Sequence, residues 1–184
     1  MAFSALLDTC VLFPMYLRDT LLRLAAADIY QPLWSTHILT ELHRALVRQG
    51  TTTTDQANRI IKLVRSHFPD SEIAGYEPLI PTVTCHEKDR HVLAAAIKAG
   101  TALLITDNTA DFPPAATLPH GIQVLTADQF LLELLDASAG TVILTLTRQA
   151  ERYKRDPKTL DALLASLSRA GLRDFTHQVR RQIL

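Results

Sequence analysis

Apolar residues along this chain follow two alternating periods, and the alternation itself predicts an architecture. Phe3–Leu7 (FSALL), Ala102–Thr106 (ALLIT) and Ile122–Thr126 (IQVLT) are short, nearly continuous apolar runs, as expected of strands covered on both faces. Tyr30–Ser35 (YQPLWS) reads as a further strand, with Pro32 moving it towards a sheet edge because proline has no ladder donor. Between these runs the period becomes helical. Leu17, Leu21 and Leu24 follow a well-placed Pro14. Ile38, Leu39, Leu42, Ala45 and Leu46 follow a cap at Ser35 or Thr36 and stop before Gly50. Ile60, Ile61, Val64 and Phe68 stripe a helix over Asp55–Phe68, opened by the Thr51–Thr54 run and ended by Pro69. Val92, Leu93, Ala96 and Ile97 stripe a helix that begins near Glu87, holds Asp89 in its first turn and stops at Gly100. Residues 70–86, with Pro78 and Pro81, read as an irregular connection, and Thr126 with Gln129 forms a capping box for a helix over Ala127–Asp136. The pattern predicts an α/β sandwich with a mainly parallel sheet over residues 1–136. A helical extension over 141–184 follows, in two amphipathic runs (Val142, Leu144, Leu146, Ala150, then Leu160, Leu163, Leu164, Leu167) that break at Asp156-Pro157.

Composition narrows the class. Hydrophobic residues make up 47% of 184, enough for a proper core. Cys10 and Cys85 fit neither a disulfide framework nor a zinc spacing, which points to a reducing compartment. No apolar run reaches the length of a bilayer span, and the start MAFSALLD lacks the basic region of a signal peptide, so the expectation is a cytoplasmic protein without a membrane partner. The zero net charge conceals an asymmetry: ten Lys/Arg against fifteen Asp/Glu in residues 1–140, and nine against four in 141–184. A basic tail either meets a polyanion or neutralises its own body. On the first alternative, Arg152, Lys154 and Arg155 are candidate contacts to a nucleic-acid backbone.

The acids supply the chemistry. Asp8 ends the first strand, Asp107 ends another, and Asp111 follows four residues later. Asp89 and Glu41 ride on helices at the border of apolar faces. Each has a structural explanation, since Asp is favoured at helix starts and in turns. In parallel sheets, however, ligands bind beyond the carboxyl ends of the strands, where Asp8 and Asp107 fall. Carboxylates gathered there repel unless protons or a cation balance them. An all-oxygen set suits Mg²⁺ or Mn²⁺, and the matching chemistry is phosphodiester hydrolysis. There is no glycine-rich phosphate loop, no G-x-S-x-G and no H-E-x-x-H. The seven histidines are expected mostly at the surface, with His86 and His91 the two close to an acid of interest.

LLDTCVL with Asp8, ILTELHRAL with Glu41, EKDRHVLAAAIKAG with Asp89 and ITDNTADFP with Asp107 and Asp111 together resemble the four acidic motifs of PIN domains. The tail LDALLASLSRAGLRDFTHQVRRQI is similar to a helical extension carried by some of the VapC toxins in that family. The resemblance implies a three-layer α/β/α sandwich and a metal-dependent ribonuclease of a toxin–antitoxin pair, with RNA, a cognate antitoxin and a second copy of the chain as candidate partners. It implies catalytic roles for Asp8, Glu41, Asp89 and Asp111. The metal-ligand candidates are Asp8, Asp89, Asp107, Asn108 and Asp111, and Thr9 is expected at the substrate. Cys10 stands where many members carry Asn after D-x. Asp107 and Asn108, as neighbours, point to opposite sides, which makes Asp111 the favoured fourth acid and leaves Asn108 to hold a ligand through its amide. The alternatives are a degenerate PIN-fold binding module and a Mg²⁺-dependent phosphatase, although Cys10 occupies the second acid's place in the D-x-D that the latter needs.

Overall fold

A computed structural model describes residues 3–50 and 52–183. Thr51 of the expected Thr51–Thr54 run, and residues 1, 2 and 184 at the ends of the two expected regions, lie outside them. Among the described residues, five strands form one sheet: β1 (Ser4–Leu7), β2 (Gln31–Ser35), β3 (Glu72–Ile73), β4 (Leu103–Ile105) and β5 (Gln123–Leu125), in the order β3-β2-β1-β4-β5. Every pairing is parallel. Ala5, Leu6 and Leu7 are all fully buried, so the central strand is covered on both faces, as its unbroken apolar run requires.

The helices are α1 (Thr9–Leu12), α2 (Met15–Ala26), α3 (Thr36–Arg48), α4 (Thr54–His67), α5 (Arg90–Ala99), α6 (Pro114–Thr117), α7 (Ala127–Arg152), α8 (Leu160–Arg169) and α9 (Arg173–Ile183). Local chemistry sets their ends. The Ser35 hydroxyl accepts from the Ile38 N–H to start α3. Thr53 with Gln56, and Thr126 with Gln129, close capping boxes on α4 and α7. Gly100 ends α5 at φ 65°, a left-handed turn that costs a residue with a side chain about 1 kcal/mol or more. This fold is an α/β sandwich with a helical extension.

Several expectations are corrected. The connection 70–86 contains β3, whose two residues pair only with Trp34 and Ser35 and leave no periodicity to read. That short partner also explains Pro32: β2 lies inside the sheet order, not at its edge. The Trp34 N–H already donates outwards to Ser71, but β3 starts beyond the level of Pro32, so no outward donor is needed there. Glu87–Asp89 is a tight 3₁₀ turn and α5 begins at Arg90, so Asp89 precedes the helix and makes no cap bond to it. Helix α7 runs far past Asp136, interrupted by non-helical backbone at Ser138 (φ −152°, ψ 53°), on which the expected division between 136 and 141 falls. Helix α9 is a further element beyond Gly171.

Helix α7 is also long and apolar enough to cross a membrane by length and composition, contrary to the expectation that no such stretch exists. Its apolarity has a local cause. Phe130, Leu131, Leu134, Leu135, Val142 and Leu146 are buried, and the helix packs on α2, α8 and α9. The tail therefore docks on the body. Gln149, fully buried, accepts from the Thr20 hydroxyl at 2.8 Å and donates to the Tyr16 carbonyl. The Asp128 carboxylate accepts from the Asp174 and Phe175 N–H groups and so caps α9.

Candidate active site

Strand order runs from β1 towards β3 on one side and to β4 and β5 on the other, so the crevice between the ends of β1 and β4 is the switch point of the sheet. Asp8 sits there, 4% exposed. Its Oδ1 accepts from the Thr9 N–H at 2.6 Å, and Oδ2 accepts from the Thr106 hydroxyl at 2.7 Å and from the Cys10 thiol at 3.3 Å. Thr106, the residue after β4, is itself fully buried and accepts from the Asn108 N–H. Burial pushes the Asp8 carboxyl above its usual range. The bonds from Thr106, Cys10 and Thr9 pull against that shift, and the charge of Glu41 adds to it. Cys10, in the position where an amide was expected, forms a thiol bridge: it donates to Asp8 and accepts from the Asp107 N–H. Burial, with the Asp8 charge beside it, lifts this thiol to about 12.

Three further segments close on Asp8. Asp89 comes from the turn before α5, where the His86 N–H donates to the Asp111 carbonyl and ties that turn to the loop after β4. His86, Asp89 and Asp111 place three potential ligand atoms within 4.8 Å of one another. Burial, followed by the charges of Asp8 and Asp111, raises the Asp89 carboxyl, with His86 at 3.2 Å opposing part of it. Glu41 enters from α3. Burial works to raise its carboxyl, but contact with His91, the Thr9 hydroxyl at 2.9 Å and His37 together hold it below the ordinary range. Its Oε1 is 3.3 Å from Nε2 of buried His91 and 3.8 Å from Nε2 of His37.

One cleft of about 520 Å³ brings together Asp8, Thr9, Cys10, Glu41, Asp89 and Asn108, with Arg44 and Arg48 on the same wall as Glu41. Asp111 joins through Asp89. Asp107 points elsewhere: its Oδ1 accepts from the Ala127 N–H at the start of α7. Arg152, Lys154 and Arg155 are exposed, and Arg152 borders a separate groove with Arg23, Ala26, Ala27, Thr145 and Arg148. Sequence reasoning missed Arg44 and Arg48. The available signal was their place three and seven residues after Glu41, on its helix face. The reach of His91 to Glu41, instead of its neighbour Asp89, was not available from spacing.

The donor set fits a hard divalent cation. Its carboxylates and the Asn108 amide offer oxygen, with the His86 imidazole at the rim beside Asp89. Asp8 is raised by burial and the charge of Glu41, and Asp89 by burial and the charges of Asp8 and Asp111, an arrangement that a cation would relieve.

A family model described as PIN domain matches residues 4–110, and one described as VapC50 C-terminal domain matches residues 127–181. Among curated proteins, "Putative ribonuclease VapC50" of Mycobacterium tuberculosis is 37% identical over 93 residues, which are 50% of this chain and 55% of that protein. The match thus spans about half the length of that relative. No solved structure matches.

Proposed function

The chain belongs to the PIN-domain family, and on that premise we propose that it is a metal-dependent endoribonuclease, the toxin half of a bacterial toxin–antitoxin pair. The carrying observation is the crevice between β1 and β4, where buried Asp8 shares one cleft with Glu41, Asp89 and Asn108 beneath two arginines. Asp8, Asp89 and Asp111, with the Asn108 amide beside them, would hold Mg²⁺ or Mn²⁺. Asp107 enters that set only by releasing the Ala127 N–H. A bound ion supplies an activated water and stabilises the leaving oxygen of a phosphodiester.

The chain's own residues do the rest. Thr106, Cys10 and the Thr9 N–H fix the direction of the Asp8 carboxylate. Glu41, held ionised, is the proton acceptor of the cleft, and Thr9 orients it. Arg44 and Arg48 draw an RNA phosphate over the acids, which by themselves repel it. Free activity of this kind harms its host, so the matching partner is an antitoxin that inserts Arg or Lys among the carboxylates in place of the ion.

The deciding experiment is RNA cleavage by purified protein with Mg²⁺ or Mn²⁺ and with excess EDTA. Asp8→Asn should lower cleavage about a hundredfold or more while circular dichroism stays unchanged. Undiminished cleavage in EDTA sinks the metal, and normal growth on overexpression without a partner gene argues against the toxin.

A further inference from the structure

His37 and His91 touch no reacting atom in the reaction proposed above, and both turn a ring nitrogen to the same carboxylate oxygen of Glu41. His91, on the first turn of α5, is 5% exposed, and neither ring nitrogen has a hydrogen-bond partner; Nε2 approaches Glu41 Oε1 at 3.3 Å without hydrogen-bond geometry. Burying an imidazole with both nitrogens unpaired is costly, so the arrangement asks for a ligand. His37 precedes Glu41 by four residues on α3, the spacing that sets two donors on one helix face in zinc-binding helices. The three candidate ligand atoms lie within 4.8 Å of one another. Ligands bonded to a tetrahedral zinc at about 2.0–2.1 Å stand about 3.4 Å apart. The Glu41 separations of 3.3 Å and 3.8 Å need little adjustment to meet that. Two imidazoles and a carboxylate, with a fourth position left to water, form a donor set suited to zinc and unlike the oxygen shell that Mg²⁺ prefers.

We propose that His37 Nε2, His91 Nε2 and Glu41 Oε1 form a transition-metal site of the zinc class, separate from the oxygen site at Asp8, Asp89 and Asp111. The two rings now stack at 3.8 Å between centroids with planes 12° apart. Parallel rings cannot both aim a lone pair at one ion. His91 is fixed by burial, while the His37 side chain is 47% exposed and turns out of the stack to complete the site. An ion held there takes Glu41 out of the catalytic cleft, so zinc inhibits the nuclease. That consequence rests on the proposed function; binding does not.

The test titrates Zn²⁺ alone into the full chain in competition with a chromophoric chelator, for the wild type, His37→Ala and His86→Ala. The expected result is a tightest Zn²⁺ equivalent that His37→Ala weakens about tenfold or more and His86→Ala leaves unchanged, any second and weaker equivalent belonging to the oxygen site. His37 lies exposed on α3, so its truncation leaves the fold intact, and thermal melting without metal checks this. Equal binding by His37→Ala, loss of binding in His86→Ala, or no binding by the wild type each overturns the site. In Mg²⁺-driven RNA cleavage, added Zn²⁺ should inhibit the wild type and spare His37→Ala. Zinc binding that depends on His37 without inhibition upholds the site and overturns the role of Glu41 as proton acceptor in the proposed reaction.

Discussion

Asp8 shows what the site costs the fold. Its carboxylate is buried at the end of the central strand, and three donors compensate for lost water only in part, because burial outweighs them and leaves the group raised above its ordinary 3.8. For an acid raised in this way the folded state binds the proton more tightly than the unfolded chain does. Stability from this group is therefore greatest at low pH, and it falls as pH rises from about 3.8 through the raised folded value, beyond which the cost is constant. Asp8→Asn removes that dependence. In metal-free buffer the variant should melt increasingly above the wild type as pH passes through this window, reaching a difference of about 1 kcal/mol, or about 2–4 °C. Added Mg²⁺ should raise the melting temperature of the wild type and not of Asp8→Asn. Equal melting curves across pH would show that Asp8 is fully compensated without a cation. Cys10 allows a second test at this scale. With its thiol pushed up to about 12, it should alkylate slowly in the folded protein, at a rate that climbs with pH and shows no plateau below pH 10. A plateau near pH 8 would show a solvated thiol instead.

Helix α3 shows what an element contributes and how far its pattern can be read. Its apolar stripe was legible, since Ile38, Leu39, Leu42 and Leu46 are buried as the 3.6-residue period demands. The strands β1, β2, β4 and β5 were legible as short apolar runs, although Pro32 misplaced β2 towards an edge and β5 leaves Gln123 exposed. What was not legible is decided by tertiary approach. The period set Glu41 at the border of the apolar face, but by itself it did not separate His37, Arg44 and Arg48 from residues facing solvent; β1, the loop after β4 and the start of α5 select them by where they arrive. The direction of Asp107 likewise follows from the open N-terminus of α7, which takes its carboxylate. This placement yields a prediction about the RNA path. Arg44→Gln with Arg48→Gln should weaken RNA binding and reduce its salt slope by about 0.7 for each phosphate no longer neutralised. Arg152→Gln, Lys154→Gln and Arg155→Gln should change it little, because Arg152 borders another groove. A larger drop in slope for the tail variant would move the path from α3 to the extension.

The whole molecule raises the question of whether the extension is an appendage or part of the fold. Its charge suggests independence, but its packing does not. Leu163, Leu164, Leu167, Leu172, Phe175 and Val179 are buried to 1% or less, and α8 and α9 lie against α7 while α8 also meets α2. The contacts reach deep into the body: Gln149 bonds Thr20 and Tyr16 of α2, and Tyr153 stacks edge-on against Tyr16 at 5.5 Å. Asp128, near the start of α7, caps α9, so the last helix of the chain is secured by a residue next to the central sheet. Energy spread in this way across both regions makes them melt together. Phe175→Ala leaves a cavity where a fully buried aromatic ring was and should cost about 3–5 kcal/mol. For a chain of this length that amounts to a fall of about 6–20 °C. The calorimetric trace should keep one transition, displaced as a whole and affecting the Asp8 cleft and the tail alike. Two separated transitions, with the cleft melting at its wild-type temperature, would show that residues beyond Ser138 fold on their own and that the body needs none of them.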